Sequence, residues 1–134
     1  MKTIGIIGGL TWHSTADYYR LINQQINAKL GGAEAGKIIL YSVNFGEIKR
    51  LTEKNDWTGI ANQIKGIAQK LEASGADCIL IGANTMHKIA DEVQSAISIP
   101  LIHIAEETAK VIVAKEFKKV ALIGTKYTMQ LDFY

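Results

Sequence analysis

Short β-branched runs alternate along this chain with segments whose apolar residues recur every three or four positions. The first run, Thr3 to Ile7, sets Ile4, Ile6 and Ile7 around Gly5 and ends at Gly8-Gly9. Four-residue steps through Tyr18, Ile22, Ile26 and Leu30 then predict a helix, with Gly31-Gly32 as its stop. "KIILYSV", Lys37 to Val43, is a second strand. From Trp57 to Ser74 the residues Ile60, Ile64, Ile67, Ala68 and Leu71 form the clearest helical stripe, closed by Gly75. "CILIG", Cys78 to Gly82, reads as a strand buried on both faces, and a short helix carrying Ile89, Val93, Ala96 and Ile97 follows it. After Pro100 the pattern predicts a fourth strand, Leu101 to Ile104, a helix from about Ala105 to Lys115, and a fifth strand in "KVALIGT", Lys119 to Thr125. Unbroken apolar strands alternating with amphipathic helices predict the α/β class, a parallel sheet with helices on both faces.

Composition removes several alternatives. Hydrophobic residues fill 48% of the 134 positions and proline occurs once, so disordered, collagen-like and low-complexity chains are excluded. The net charge of +2 comes from lysines and arginines spread through amphipathic segments, which gives nucleic acid no phosphate-tracking surface. A single cysteine, Cys78, rules out an intrachain disulfide and a cysteine-cluster metal site; no metal is expected. Unpaired cysteine favours burial, so Cys78 is read as a small core residue. The N-terminal "MKTIGIIGG" lacks the long apolar core and cleavage site of a signal peptide, which makes the cytoplasm the expected compartment. No apolar run approaches the roughly 20 residues that span a bilayer, so no membrane partner is expected.

Candidate chemistry lies where an open parallel sheet places it, in the residues that follow each strand. After the first strand, "GGLTWHST" delivers Ser14 and Thr15 to a helix N-terminus, where free N–H groups attract an anion. Ser and Thr are also ordinary helix caps, and both roles fit them. The glycines Gly5, Gly8 and Gly9 have the wrong spacing for a dinucleotide fingerprint, and the G-K-[ST] of a phosphate loop is absent. After the third strand, "GANTMHK" holds Asn84 and Thr85 at a helix start with His87 one turn in. An amide, a hydroxyl and helix N–H groups suit a carboxylate better than a metal, although capping also explains Asn84 and Thr85. His87 can equally be a supporting residue that holds the loop. His103, alternating with Leu101, Ile102 and Ile104, is read as a hydrogen-bonded core histidine in the fourth strand.

Four junctions taken in order, "IGGLTWHSTADYYRLIN", "SVNFGEI", "ANTMHK" and "GTKYTM", resemble the aspartate/glutamate racemase family. The resemblance runs from Met1 to Tyr134 and corresponds to about the first three-fifths of a typical member. It implies a cofactor-independent enzyme of two pseudo-symmetric α/β domains that racemises or epimerises a small acidic amino acid between them. Residues 1–104 would then form the first domain, and 105–134 the truncated beginning of the second. Racemisation needs one group to remove the α-proton and another, on the opposite face, to return one. The family's first acid/base stands just before the Asn-Thr pair, a position held here by Ala83, which has no ionisable atom. The second lies in the domain that this chain lacks. Cys78 is five residues upstream, about 16 Å along a strand, and points to the other face. Carried over by position, the substrate contacts are Leu10 through its turn, Thr52 in the loop after the second strand, Ala83, Asn84 and Thr85, supported by Ser14, Thr15 and His87. Relatives often carry a longer polar side chain where this chain has Thr52.

Two function classes follow. One is the racemase half just described. The other is a small-carboxylate binding module without chemistry, since Ala83 cannot move a proton. A receiver-like domain is disfavoured because Gly8, Gly9, Ala83 and Asn84 stand where its acidic residues belong. The apolar fifth strand would lack partners within this chain, so a homodimer or higher oligomer is expected.

Overall fold

The computed structural model describes residues 1–133; Tyr134 lies outside the described residues. The chain runs β1 (Thr3–Gly8), α1 (Trp12–Leu30), β2 (Lys37–Ser42), α2 (Phe45–Glu53), α3 (Trp57–Ala73), β3 (Cys78–Ile81), a 3₁₀ turn (Thr85–Ile89), α4 (Ala90–Gln94), α5 (Ile104–Ala114) and α6 (Lys126–Gln130). The three strands form one parallel sheet in the order β2-β1-β3. A parallel pair needs a crossover, and α1 and α3 supply the two. The α/β class read from the apolar pattern is the observed one.

Register decides which residues share a face. Gly5 stands opposite Ile39 and Ile79, and Ile7 opposite Tyr41 and Ile81. That face carries the main core, where Ile7, Ile79 and Ile81 meet Ile60, Ile64, Ile67, Ala68 and Leu71 of α3, Ile48 of α2 and Val93 of α4. Each fully buried aliphatic side chain contributes roughly 1.5–3 kcal/mol, so this layer dominates the stability of the domain. The other face, with Ile4, Ile6, Cys78 and Leu80, is more thinly covered. An apolar hollow of about 400 Å³ opens there between α1 and α5, and Leu21 on its wall is half exposed.

Several elements differ from the sequence expectation. β3 is not buried on both faces, because Ile79 and Ile81 are buried while Cys78 and Leu80 are only partly covered. Cys78 is therefore a half-buried strand residue; burial and the Asp77 charge push its thiol pKa up. The fourth strand shrinks to a single parallel bridge, Ile79 with Leu101, and Ile104 already belongs to α5. Extension stops because the His103 Nδ1 accepts the Ala105 N–H at 3.3 Å and caps the helix. His103 is thus a half-buried N-cap, not a core strand residue. No strand forms over residues 119–125, where Val120, Leu122 and Ile123 are exposed. A strand exists only when a ladder partner takes its N–H and C=O groups, and among the described residues none lies alongside 119–125.

One helix was absent from the apolar pattern. α2 begins at Asn44, whose side chain accepts the Gly46 N–H at 3.0 Å, with Glu47 in the first turn. The Asn44–Glu47 spacing is a start signal that its short apolar stripe obscured. Thr52 consequently sits on a helix and not in a loop.

The turn after β1 depends on Gly9, whose φ is +75° and whose added Cβ would press into the Val43 backbone. Gly32 also has a positive φ, +58°, but open space around it. Gly9→Ala should therefore cost clearly more than the roughly 1–2 kcal/mol of left-handed strain alone that Gly32→Ala should show. Urea denaturation of the two variants checks this. Equal losses would remove the close approach as the reason for glycine at position 9.

Candidate functional site

The carboxyl ends of the strands are tied together by backbone bonds that place three loops side by side. The Val43 N–H donates to the Gly8 carbonyl at 2.9 Å, and the Gly82 N–H to the Ile7 carbonyl at 2.9 Å. Between them the buried Thr15 hydroxyl accepts the Gly9 N–H at 2.8 Å and donates to the Thr11 carbonyl at 3.2 Å. Thr15 is thus neither cap nor ligand contact. It sits in the first turn of α1 and clamps the loop before it. The N-cap is Thr11, whose hydroxyl lies 3.2 Å from that of Ser14 and makes no capping bond. Ser14 keeps its place near the mouth without capping the helix.

Asn84 precedes the 3₁₀ turn, and its side chain makes no capping bond either. It is exposed, with Ala83 and Thr85 half buried beside it. A fourth loop then closes on these three. Thr125 caps α6 by accepting the Thr128 N–H at 3.4 Å, and its hydroxyl lies 2.9 Å from that of Thr85. Tyr127 packs edge-to-face on Trp57 of α3, with centroids 5.5 Å apart, and this contact anchors α6 to the domain. The ammonium of Lys88 stands 4.0 Å over the Trp57 ring.

The Thr85–Thr125 pair divides the resulting cleft into two lobes. The first, about 330 Å³, gathers Leu10, Thr11, Ser14, Ala83, Asn84, Thr85 and Thr125. The second, about 400 Å³, is bounded by Leu10, Phe45, Thr52, Ala83, Met86 and Tyr127. Of the residues expected from the sequence, Leu10, Ser14, Ala83, Asn84 and Thr85 meet in the first lobe, and Thr52 joins the second. The Thr52 hydroxyl donates to its own helix at the Ile48 carbonyl, 2.9 Å away, so its polar atom is already engaged. Thr125, Phe45, Met86 and Tyr127 were not foreseen as site residues. "GTKYTM" was legible as a junction motif, but nothing local says that its threonine meets Thr85.

His87 is buried and faces away from both lobes. Its Nδ1 lies 3.0 Å from the Ala83 carbonyl and 3.2 Å from that of Asn84, while Nε2 lies 3.4 Å from the Ile104 N–H. Those partners select the tautomer that donates from Nδ1 and accepts at Nε2. The imidazole therefore holds the Ala83–Asn84 loop to the start of α5. Burial, with the neighbouring His103 ring at 4.5 Å, keeps its pKa below the usual histidine range.

The cleft lies at the carboxyl edge of a parallel sheet and is lined by amide and hydroxyl groups. Among the described residues no group of three His, Cys, Asp or Glu side chains could hold a metal ion, and no helix is long and apolar enough to cross a membrane. Residues 7–134 match the family described as Asp/Glu/Hydantoin racemase, and the chain belongs to that family. The broad specificity amino-acid racemase RacX of Bacillus subtilis (strain 168) is 43% identical over 67 residues, which is 50% of this chain and 29% of that protein. A crystal structure of a candidate Asp/Glu racemase from Yersinia pestis aligns over the whole chain with a TM-score of 0.96 and 48% identity. An aspartate racemase homologue from Pyrococcus horikoshii OT3 aligns over 99% of the chain at 37% identity, with a TM-score of 0.85. Picrophilus torridus aspartate racemase, 23% identical with a TM-score of 0.80, shares the fold. The chain spans 58% of each of the first two structures, so it is similar to a little over half of either.

Since burial lowers the His87 pKa, the folded chain binds fewer protons than the unfolded one below pH 6.5. The contribution of this group to stability is therefore complete above pH 6.5 and declines as pH falls through that value toward the lower folded pKa. His87→Gln should flatten this part of the curve in urea titrations at several pH values. An unchanged slope would assign the pH dependence to other groups.

Proposed function

We propose that the first lobe binds the carboxylate of an amino acid, and that this chain forms one wall of a cofactor-independent racemase or epimerase cleft. The observation that carries the reading is the convergence of the Asn84 amide and the Thr11, Ser14, Thr85 and Thr125 hydroxyls on one cavity. A carboxylate only accepts hydrogen bonds, and the Asn84 amide can donate, as can one hydroxyl of the Thr11–Ser14 pair and one of the Thr85–Thr125 pair. Membership of the racemase family and the likeness to an amino-acid racemase of broad specificity support the same ligand class. When an α-proton leaves, negative charge builds on the carboxylate oxygens, so donors fixed at that point stabilise the transition state more than the ground state. Binding and orientation are the tasks of these residues.

Proton transfer is a different matter. Two acid/base groups must flank Cα, and Ala83 offers none. His87 cannot replace it, because its Nδ1 is committed to the Ala83 and Asn84 carbonyls and its Nε2 to the Ile104 N–H. This chain alone therefore binds without racemising, and a racemase containing it draws its acid/base from outside the Ala83 position. In this reading residues 105–134 begin the second domain, of which Thr125 already reaches the cleft. The exposure of Val120, Leu122 and Ile123 fits a homodimer or higher assembly, and the cytoplasm is the expected compartment. A second reading takes the substrate as acidic, aspartate or glutamate, and is supported by the family match and the likeness to an aspartate racemase homologue.

Adding alanine to the ¹⁵N-labelled chain should shift the amides of Asn84 and Thr85, whereas ethylamine, which lacks the carboxylate, should leave them in place. Affinity should be weak, since one wall leaves the ligand largely hydrated. Asn84→Ala should weaken it further by about tenfold through the loss of a hydrogen bond to a charged group. Equal responses to alanine and ethylamine would overturn the carboxylate reading. The unaltered chain should exchange no α-proton with deuterium oxide by proton NMR.

A further inference from the structure

We propose that the second lobe receives a neutral, apolar amino-acid side chain, of the size of methionine or leucine, in preference to the carboxylate of aspartate or glutamate. The inference rests on the reading that the first lobe holds the α-carboxylate. The two lobes share Leu10, Ala83 and the Thr85–Thr125 pair, so a ligand anchored in the first projects its side chain into the second.

The walls of that lobe are apolar. Leu10 and Met86 are almost fully buried and present only their flanks, Ala83 adds a methyl, and the Tyr127 ring is held in place by Trp57. Phe45 is 42% exposed at the lobe's edge, which leaves an aromatic surface in water until something apolar covers it. The lobe's volume of about 400 Å³ lies at the small end of ligand sites, roughly 300–1,000 Å³. A methionine or leucine side chain fits within it.

An acidic side chain would find little that is dedicated to it. The Thr52 hydroxyl, the polar atom nearest in kind to a carboxylate donor, is turned onto the Ile48 carbonyl. Lys49 lies 3.6 Å from Glu53 on the same helix, and both are more than half exposed, so the Glu53 charge offsets it at the rim. Lys126 is exposed on α6 with its ammonium 5.2 Å above the Tyr127 ring. Ion pairs made by such solvated lysines are screened by water and salt and add little. Carrying a carboxylate past Phe45 and Met86 would also strip its water without replacing it.

The test titrates the ¹⁵N-labelled full chain with glycine, methionine, leucine, aspartate and glutamate, each in both enantiomers where they exist. Methionine or leucine should bind about tenfold or more tighter than glycine and than aspartate, the scale set by burying an apolar side chain, and should shift the amides of Phe45 and Met86. Phe45→Ala should remove that advantage and bring methionine and leucine to the affinity of glycine. Thr52→Arg, which sets a cation in the lobe, should turn the preference toward aspartate by about tenfold. Methionine binding no tighter than glycine, or aspartate binding as tightly as methionine, would overturn the apolar lobe and leave the carboxylate reading standing. No shift at Asn84 and Thr85 with any of the five would overturn both.

Discussion

A 2.8 Å hydrogen bond from the Gly9 N–H to the buried hydroxyl of Thr15 determines how the rest of the cleft is arranged. A parallel strand that runs directly into a helix must reverse within a few residues, and the backbone N–H groups exposed by the reversal need acceptors. Thr15 supplies one from inside the helix itself, so the turn is drawn onto α1. Two close approaches make this possible. A Cβ on Gly8 would stand 2.6 Å from the Thr15 methyl, and one on Gly9 would enter the Val43 backbone. With the turn held this tightly, the residue after β2 bonds to Gly8 and the residue after β3 bonds to Ile7, so both loops run to the mouth of the sheet.

His87 performs a comparable task on the other side of that mouth. One ring joins the loop that carries Ala83 and Asn84 to the first residue of α5. Because both nitrogens are used and the ring is buried, the imidazole is a strut and not an acid or base. The polar side chains that line the first lobe are uncharged amide and hydroxyl groups, and His87, its pKa lowered by burial, is turned away from it. Ala83 adds a methyl group to the wall of both lobes.

The division of the cleft depends on a contact between residues forty positions apart. Thr85 and Thr125 meet through their hydroxyls, and the Trp57–Tyr127 packing holds the short α6 close enough for them to do so. Without that contact the polar groups after β3 would face open solvent, as one edge of a surface. With it they become one of two adjoining chambers whose walls differ in polarity. The thinly covered side of the sheet, between α1 and α5, shows the contrast, since mostly apolar side chains line it, with Glu107 and Tyr18 among them.

Local pattern was sufficient for the α/β class, for β1 and β2, for α1 and α3 and their glycine stops, and for the polar loops carrying Ser14, Asn84 and Thr85. Hydrophobic period and glycine placement are properties of neighbouring residues, so they survive in one dimension. Tertiary structure decided what depended on distant partners. "LIHI" and "KVALIGT" have strand composition, yet one is a single bridge and the other no strand, because a ladder needs a second chain segment alongside. Thr15, a cap by composition, became a clamp because Gly9 came within reach of its hydroxyl. His103, a strand residue by alternation, became the cap of α5. Thr125 entered the cleft through a hydroxyl belonging to a different loop. Residue identity sets which bonds a side chain can make, and only the folded chain sets which partner arrives.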